Sequence, residues 1–256
     1  MRRAGRIISL QLEIWERWQH RRGMVSLASG KLSLSHVMVL RLFSAIGSAA
    51  IFGMLAAPVT GSAYWPSALA LAFVYCFFFV GGAGYRILVA VALLDPSRWA
   101  PASWSGVTVA SALPVLAAAI LIWGPDGHAS LMLAAYAVAI NAAYVPAKFA
   151  CIEAGCCHAQ HRDRFFIRHH DLRNVEIMAG FVVSAAALSA MWAGAVTVAA
   201  ILGIGGHLAI RLLSGWSRNR LPGSGPENET RGQELLPLAL MLAAAIWIAA
   251  SLQSLS

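Results

Sequence analysis

Chemistry in this chain is concentrated in one run, Lys148-Phe149-Ala150-Cys151-Ile152-Glu153-Ala154-Gly155-Cys156-Cys157-His158, where an apolar segment gives way to a basic, polar one. The run gathers an ammonium, three of the four cysteines, a carboxylate and an imidazole where lipid would tolerate none of them unpaired. Arg86, Glu176 and Arg211 also lie within or at the edge of apolar segments. A charge at the bilayer centre costs roughly 2.5–3.5 kcal/mol on insertion scales, so each of these residues needs a physical reason. Arg86, Lys148 and Arg211 set against Glu176 make an excess of cations that an anionic ligand would offset. A phosphate headgroup suits arginine's planar fork. The plainer alternatives are snorkelling to the interface and a structural pair such as Glu176 with Arg211.

His207, Arg211 and Arg218 stand at i, i+4 and i+11 and share a helix face, with Gly203, Gly205 and Gly206 just before them. That face is expected to look into the bundle and line a polar cavity. Cys156, Cys157, His158, His161, His169 and His170 form the most metal-like group, since thiolate and imidazole suit zinc or copper. The spacing is not C-x-x-C, and adjacent cysteines seldom share one ion, so no metal is assigned there. Burial as small polarizable side chains is one alternative. A thiol activated by Lys148 or a nearby arginine is another.

Such residues need a scaffold, and the composition says which kind. Of 256 residues, 59% are hydrophobic and 12% charged, and the mean hydropathy is +0.68. A soluble domain would carry about twice that share of charge. Seven apolar segments occur, at about 35–58, 65–94, 104–123, 129–149, 175–191, 195–213 and 235–253. Each approaches the roughly 20 residues that a spanning helix needs. Strand-like alternation is missing, and lipid cannot satisfy an open sheet edge. The expectation is therefore an all-α, polytopic membrane bundle of about seven transmembrane helices, with 34–256 as a single helical domain. Gly81-Gly82-Ala83-Gly84 could bend or break the second helix, or permit close packing. Gly124-Pro125-Asp126-Gly127 and Trp192-Ala193-Gly194 suit tight hairpins.

Residues 1–33 read as a basic amphipathic segment. Ile7, Ile8, Ile14, Trp15 and Trp18 share a helical face among six arginines, which suits a helix lying in the interface. These residues are too polar for the apolar core of a signal peptide. The net charge of +8 points to lipid headgroups or an anionic substrate at the interface rather than nucleic acid. Basic residues fall at the N-terminus and in 95–103, 156–174 and 214–234, which the positive-inside rule would place in the cytoplasm.

The run Lys148–His158 resembles the signature of prolipoprotein diacylglyceryl transferases, approximately G-R-I-G-C-F-L-A-G-C-C-Y-G in many relatives. Further similarities follow in the same order along residues 80–250. They are Gly82-Ala83-Gly84-Tyr85-Arg86, Ser103-Trp104-Ser105-Gly106-Val107, His170-Asp171-Leu172-Arg173-Asn174-Val175-Glu176, Arg211-Leu212-Leu213-Ser214-Gly215-Trp216-Ser217-Arg218 and Gly232-Gln233-Glu234-Leu235-Leu236. The resemblance implies a multi-pass protein of the bacterial inner membrane that moves a diacylglyceryl group from phosphatidylglycerol to a lipobox cysteine of a preprolipoprotein. It calls for no cofactor. On this chain it implies Lys148, Arg211, Glu176 and His207 at the reacting centre. Around the substrate it implies Arg86, Ser105, Gly106, Cys151, Gly155, His158 and Arg218. Lys148 replaces the signature arginine, Ser105 the family's histidine, Gly215 a glutamate and Val175 a tyrosine. The family's site faces outward, opposite to what the charge rule gives. A relative that binds phospholipid or a partner helix without turnover, and a Cys/His metal or redox protein, are the other readings.

Overall fold

The computed structural model describes residues 34–92, 104–124, 127–153, 172–217 and 227–253. Among them the chain is all-helical: α1 Leu34–Ala56, α2 Tyr64–Ala92, α3 Trp104–Leu121, α4 Ala129–Glu153, α5 Leu172–Trp192, α6 Val196–Ser217 and α7 Glu227–Gln253. A short 3-10 turn, Ala57–Thr60, joins the first two. Five stretches are long and apolar enough to cross a membrane: Val39–Thr60, Tyr64–Gly84, Ala129–Ala150, Asn174–Trp192 and Val196–Ser214. The apolar parts of α3 and α7, Gly106–Leu121 and Leu235–Ser251, are shorter. The structure thus bears out an all-helical, membrane-like bundle, in which five of the seven helices are long and apolar enough to span a membrane among the described residues. The basic amphipathic segment 1–33 lies outside the described residues.

Short links join α1 to α2, α3 to α4 and α5 to α6 as hairpins. The hairpins close where glycine accepts a left-handed backbone, at Gly127 (φ 75°) and Gly194 (φ 78°). The α4 helix is the hub, packing against α1, α3, α5, α6 and α7. Its apolar stretch is 72% buried, against 22% for that of α5 and 28% for that of α2. Sequence explains the difference. Ala134, Ala135, Ala137, Ala139 and Ala143 let neighbours approach from several sides, while Tyr136 and Tyr144 fill the spaces between. On α2 and α5, by contrast, Leu69, Phe73, Phe77, Met178, Phe181 and Val182 face outward. A continuous apolar exterior of this kind suits acyl chains rather than water.

Two contacts fix how closely the helices approach. The α2 helix runs unbroken through Gly81–Gly84, so the glycines do not break it. Gly82 serves close packing instead: a Cβ there would collide with the Gly106 carbonyl of α3 and come within 2.7 Å of Ala110 Cβ. Gly203 of α6 plays the same part against α4, where an added Cβ would lie 2.5 Å from Ala137 Cβ. Gly203→Val is therefore expected to force α6 off α4 and destabilise the bundle by about 1–3 kcal/mol. Gly205→Ala is the control, because its Cβ would meet only the Leu242 methyl groups, Cδ1 at 3.6 Å and Cδ2 at 3.8 Å. Unfolding of both variants in detergent checks the difference.

Cross-helix hydrogen bonds add register. The Ser44 hydroxyl of α1 donates to the Ala143 carbonyl at 2.7 Å, and Ser184 of α5 donates to the Val138 carbonyl at 3.3 Å. Each such bond is worth about 0.6–2 kcal/mol in a membrane.

Positive charge is sharply segregated along the sequence. All 19 lysines and arginines lie in 1–41, 86–98, 148–173 and 211–231, none in the links 57–63, 122–128 or 193–195. The exposed aromatics Tyr64, Trp65 and Trp192 sit at the opposite helix ends, as interfacial anchors do. If the positive-inside rule governs, the end bearing Lys148 and Arg211 faces the cytoplasm; if the family resemblance governs, it faces outward. Reporter fusions in 218–226 that are active inside and silent outside would follow the charge rule. The reverse pattern would give the orientation implied by the family resemblance.

Candidate functional site

At the charged end, α4, α5 and α6 bring together Lys148, Glu176 and Arg211. They lie 28 to 63 residues apart in the chain, and all three are buried. Lys148 Nζ lies 2.9 Å from Glu176 Oε2. Arg211 Nη1 lies 4.0 Å from Glu176 Oε1, too far for the charge-assisted hydrogen bond that an arginine and a carboxylate normally make. A hydroxyl stands between them. Tyr144 donates to Glu176 Oε1 at 2.6 Å and accepts from Arg211 Nη1 at 2.9 Å. The same ring meets both cations, with Lys148 Nζ 4.9 Å and the Arg211 guanidinium carbon 5.6 Å from its centroid. Cations close to an aromatic ring are stabilised by its quadrupole, most strongly where water is excluded.

One turn deeper lies a second polar group. Asn141 of α4 donates from Nδ2 to the carbonyls of Ala137 at 2.8 Å and Gly203 at 2.9 Å. Its Oδ1 faces His207 Nδ1 at 3.1 Å. Trp104, at the start of α3, directs its Nε1 hydrogen at His207 Nε2 over 3.4 Å. An indole N–H can only donate, so Nε2 accepts and the proton sits on Nδ1, pointing at Asn141 Oδ1. The imidazole is thus the neutral Nδ1–H tautomer with both nitrogens engaged. Trp104 also packs on Tyr144, ring centroids 4.9 Å apart, and the Tyr144 and His207 rings meet edge to face at 5.2 Å. The aromatic layer leaves the Lys148–Glu176–Arg211 group little lateral freedom.

The structure therefore brings together all four residues expected at the reacting centre, Lys148, Glu176, Arg211 and His207. Gly106 is buried where α2 crosses α3, a packing position. Arg86, Ser105 and Cys151 lie on α2, α3 and α4, but their side chains are outside the described residues, as are Gly155, His158 and Arg218 altogether. The remaining Cys/His residues, Cys156, Cys157, His161, His169 and His170, are outside them too. Among the described residues, no three His, Cys, Asp or Glu side chains are grouped to hold a metal ion.

Tyr144 and Trp104 are not legible as site residues from their types, since each is ordinary within an apolar helix, and Asn141 carries no charge to set it apart. A signal existed for two of them. Asn141, Tyr144 and Lys148 stand at i, i+3 and i+7, the spacing of one helix face.

Comparison with known proteins adds no relative: no family model matches the chain, and no characterised protein or solved structure matches it.

Proposed function

We propose that this chain is an integral-membrane transferase that holds the phosphate of an anionic phospholipid, such as phosphatidylglycerol, at Lys148 and Arg211. It moves the diacylglyceryl group to a thiol or another nucleophile. In this step the sulfur of the acceptor forms a C–S bond to the glyceryl carbon. The C–O bond to phosphate breaks, and glycerol phosphate departs carrying the proton that the thiol gives up. Cations placed where negative charge collects on the leaving phosphate lower that barrier, an electrostatic effect that grows in a water-poor site. The observation that carries the reading is the convergence of Lys148 from α4 and Arg211 from α6 around one carboxylate. The sequence resemblance to the diacylglyceryl transferases points to the same residues. A lipobox cysteine is the acceptor that the resemblance implies, and it can reach the site only if the charged end faces outward. With that end inside, the acceptor is a cytoplasmic nucleophile.

One observation favours a second reading, phospholipid binding without turnover. Among the described residues the proton acceptors beside the cations are already engaged, His207 by Asn141 and Trp104, Glu176 by Tyr144 and Lys148. Purified protein incubated with labelled phosphatidylglycerol and a cysteine peptide separates the two. Transfer with release of glycerol phosphate is expected of the transferase. Retained lipid with neither product supports the binding protein, and neither retention nor product removes both.

A further inference from the structure

We infer that a water molecule binds in the middle of the bundle, held by the Tyr75 hydroxyl of α2 and shared with Ser48 of α1 and Tyr136 of α4, and that it ties these helices together. The inference does not depend on the phospholipid reading, because this group shares no residue with the Lys148–Glu176–Arg211 site.

Tyr75 stands near the middle of the apolar stretch Tyr64–Gly84, and Ser48 near the middle of Val39–Thr60. Both are buried, as are Ser111 of α3 and Tyr136. At this depth neither acyl chains nor apolar side chains can take a hydrogen bond, so a polar hydrogen must find its partner inside the protein. The Tyr75 hydroxyl has none among the described residues. The Ser48 and Tyr136 hydroxyls lie within electrostatic reach of it, yet no hydrogen bond to it closes. Its ring is held against turning toward another acceptor. Phe52 stacks on it with centroids 4.8 Å apart, and Phe79 and Tyr136 stand at 5.9 and 6.3 Å.

The protons around Tyr75 decide what kind of molecule fits. Ser48 Oγ donates its hydrogen to the Ala45 carbonyl at 3.1 Å. Ser111 Oγ donates to the Val107 carbonyl at 2.7 Å. In the 3.3 Å contact between Ser111 and the Tyr136 hydroxyl, Ser111 therefore accepts and Tyr136 donates. With their hydrogens committed, the hydroxyls beside Tyr75 offer it oxygen and no donor. A phenol with an unmatched proton, next to oxygens that can accept, calls for a small molecule with both functions. Water accepts from Tyr75 and carries two hydrogens, one for Ser48 Oγ and one for the Tyr136 oxygen. An apolar molecule satisfies none of these groups, and an anion would meet a single donor.

Solid-state NMR of the full-length protein in hydrated bilayers, with 13C-labelled tyrosine and phenylalanine rings, tests this by following magnetisation from water into each ring. Transfer to the hydroxyl-bearing carbon of Tyr75 is expected while the buried Phe52 ring beside it stays dark. No transfer to Tyr75 overturns the water site. Tyr75→Phe assigns the signal by its loss. It is also expected to lower the unfolding temperature by about 2–4 °C, the shift that loss of one net hydrogen bond gives in a chain of this size. If the parent protein shows no transfer and Tyr75→Phe still unfolds earlier, Tyr75 bonds a protein group directly and the water is excluded. If transfer is present but Tyr75→Phe unfolds at the same temperature or later, the water stands and its part in tying the helices falls. Ser48→Ala keeps the tyrosine and removes one acceptor, and reduced transfer to Tyr75 is expected. An unchanged rate removes Ser48 from the site.

Discussion

Glu176→Ala is expected to lower stability by about 3–5 kcal/mol, more than any other single substitution at the site, because it removes the carboxylate that two buried cations share. Lys148 loses the carboxylate oxygen 2.9 Å from its ammonium, and Tyr144 loses the acceptor of its 2.6 Å hydrogen bond. A buried charge pair replaced as a unit by apolar groups is often tolerated, whereas removing one partner is not. The double variant Glu176→Ala with Lys148→Met is accordingly expected to recover much of the loss. Thermal unfolding of the single and double variants in the same detergent checks this. Additive losses in the double variant would show that the two side chains do not depend on one another.

Arg211→Ala is expected to act on function more than on folding. Glu176 keeps Lys148 and Tyr144 as partners when the guanidinium is gone, so little charge is left stranded. A phosphate leaving group loses its forked donor, and loss of one such electrostatic contact lowers turnover by about 10²–10³-fold. Arg211→Lys restores the charge without the planar fork and is expected to fall between the two. Release of glycerol phosphate from labelled phosphatidylglycerol measures all three. Equal rates would remove Arg211 from the chemistry.

Hydropathy located the helices because an apolar run must satisfy its own backbone in lipid, whatever its neighbours do. The apolar segment at 129–149 became α4, Ala129–Glu153, and that at 195–213 became α6, Val196–Ser217. The local rule does not say how deeply each helix sits. Nothing in their hydropathy separates α4, the hub, from α5 on the periphery; the difference comes from the alanine faces that α4 offers to several partners. Lys148, Glu176, His207 and Arg211 were legible because a polar group in an apolar helix is costly wherever the helix packs. Their meeting point was not. It depends on α4 lying between α5 and α6, with Gly203 against Ala137 setting the spacing. Tyr144 escaped notice for the opposite reason. A tyrosine is equally at home in an apolar helix or at an interface, and only the approach of Arg211 and Glu176 to its hydroxyl gives it a part.

Native mass spectrometry of the protein released from bilayers of mixed phosphatidylglycerol and phosphatidylcholine tests the account most directly. Preferential retention of phosphatidylglycerol by the parent protein, lost when Lys148→Met and Arg211→Ala are combined, is the predicted result. Equal retention of the two lipids, unchanged by the double substitution, would mean that the cations of α4 and α6 serve only to hold Glu176 and the helices around it.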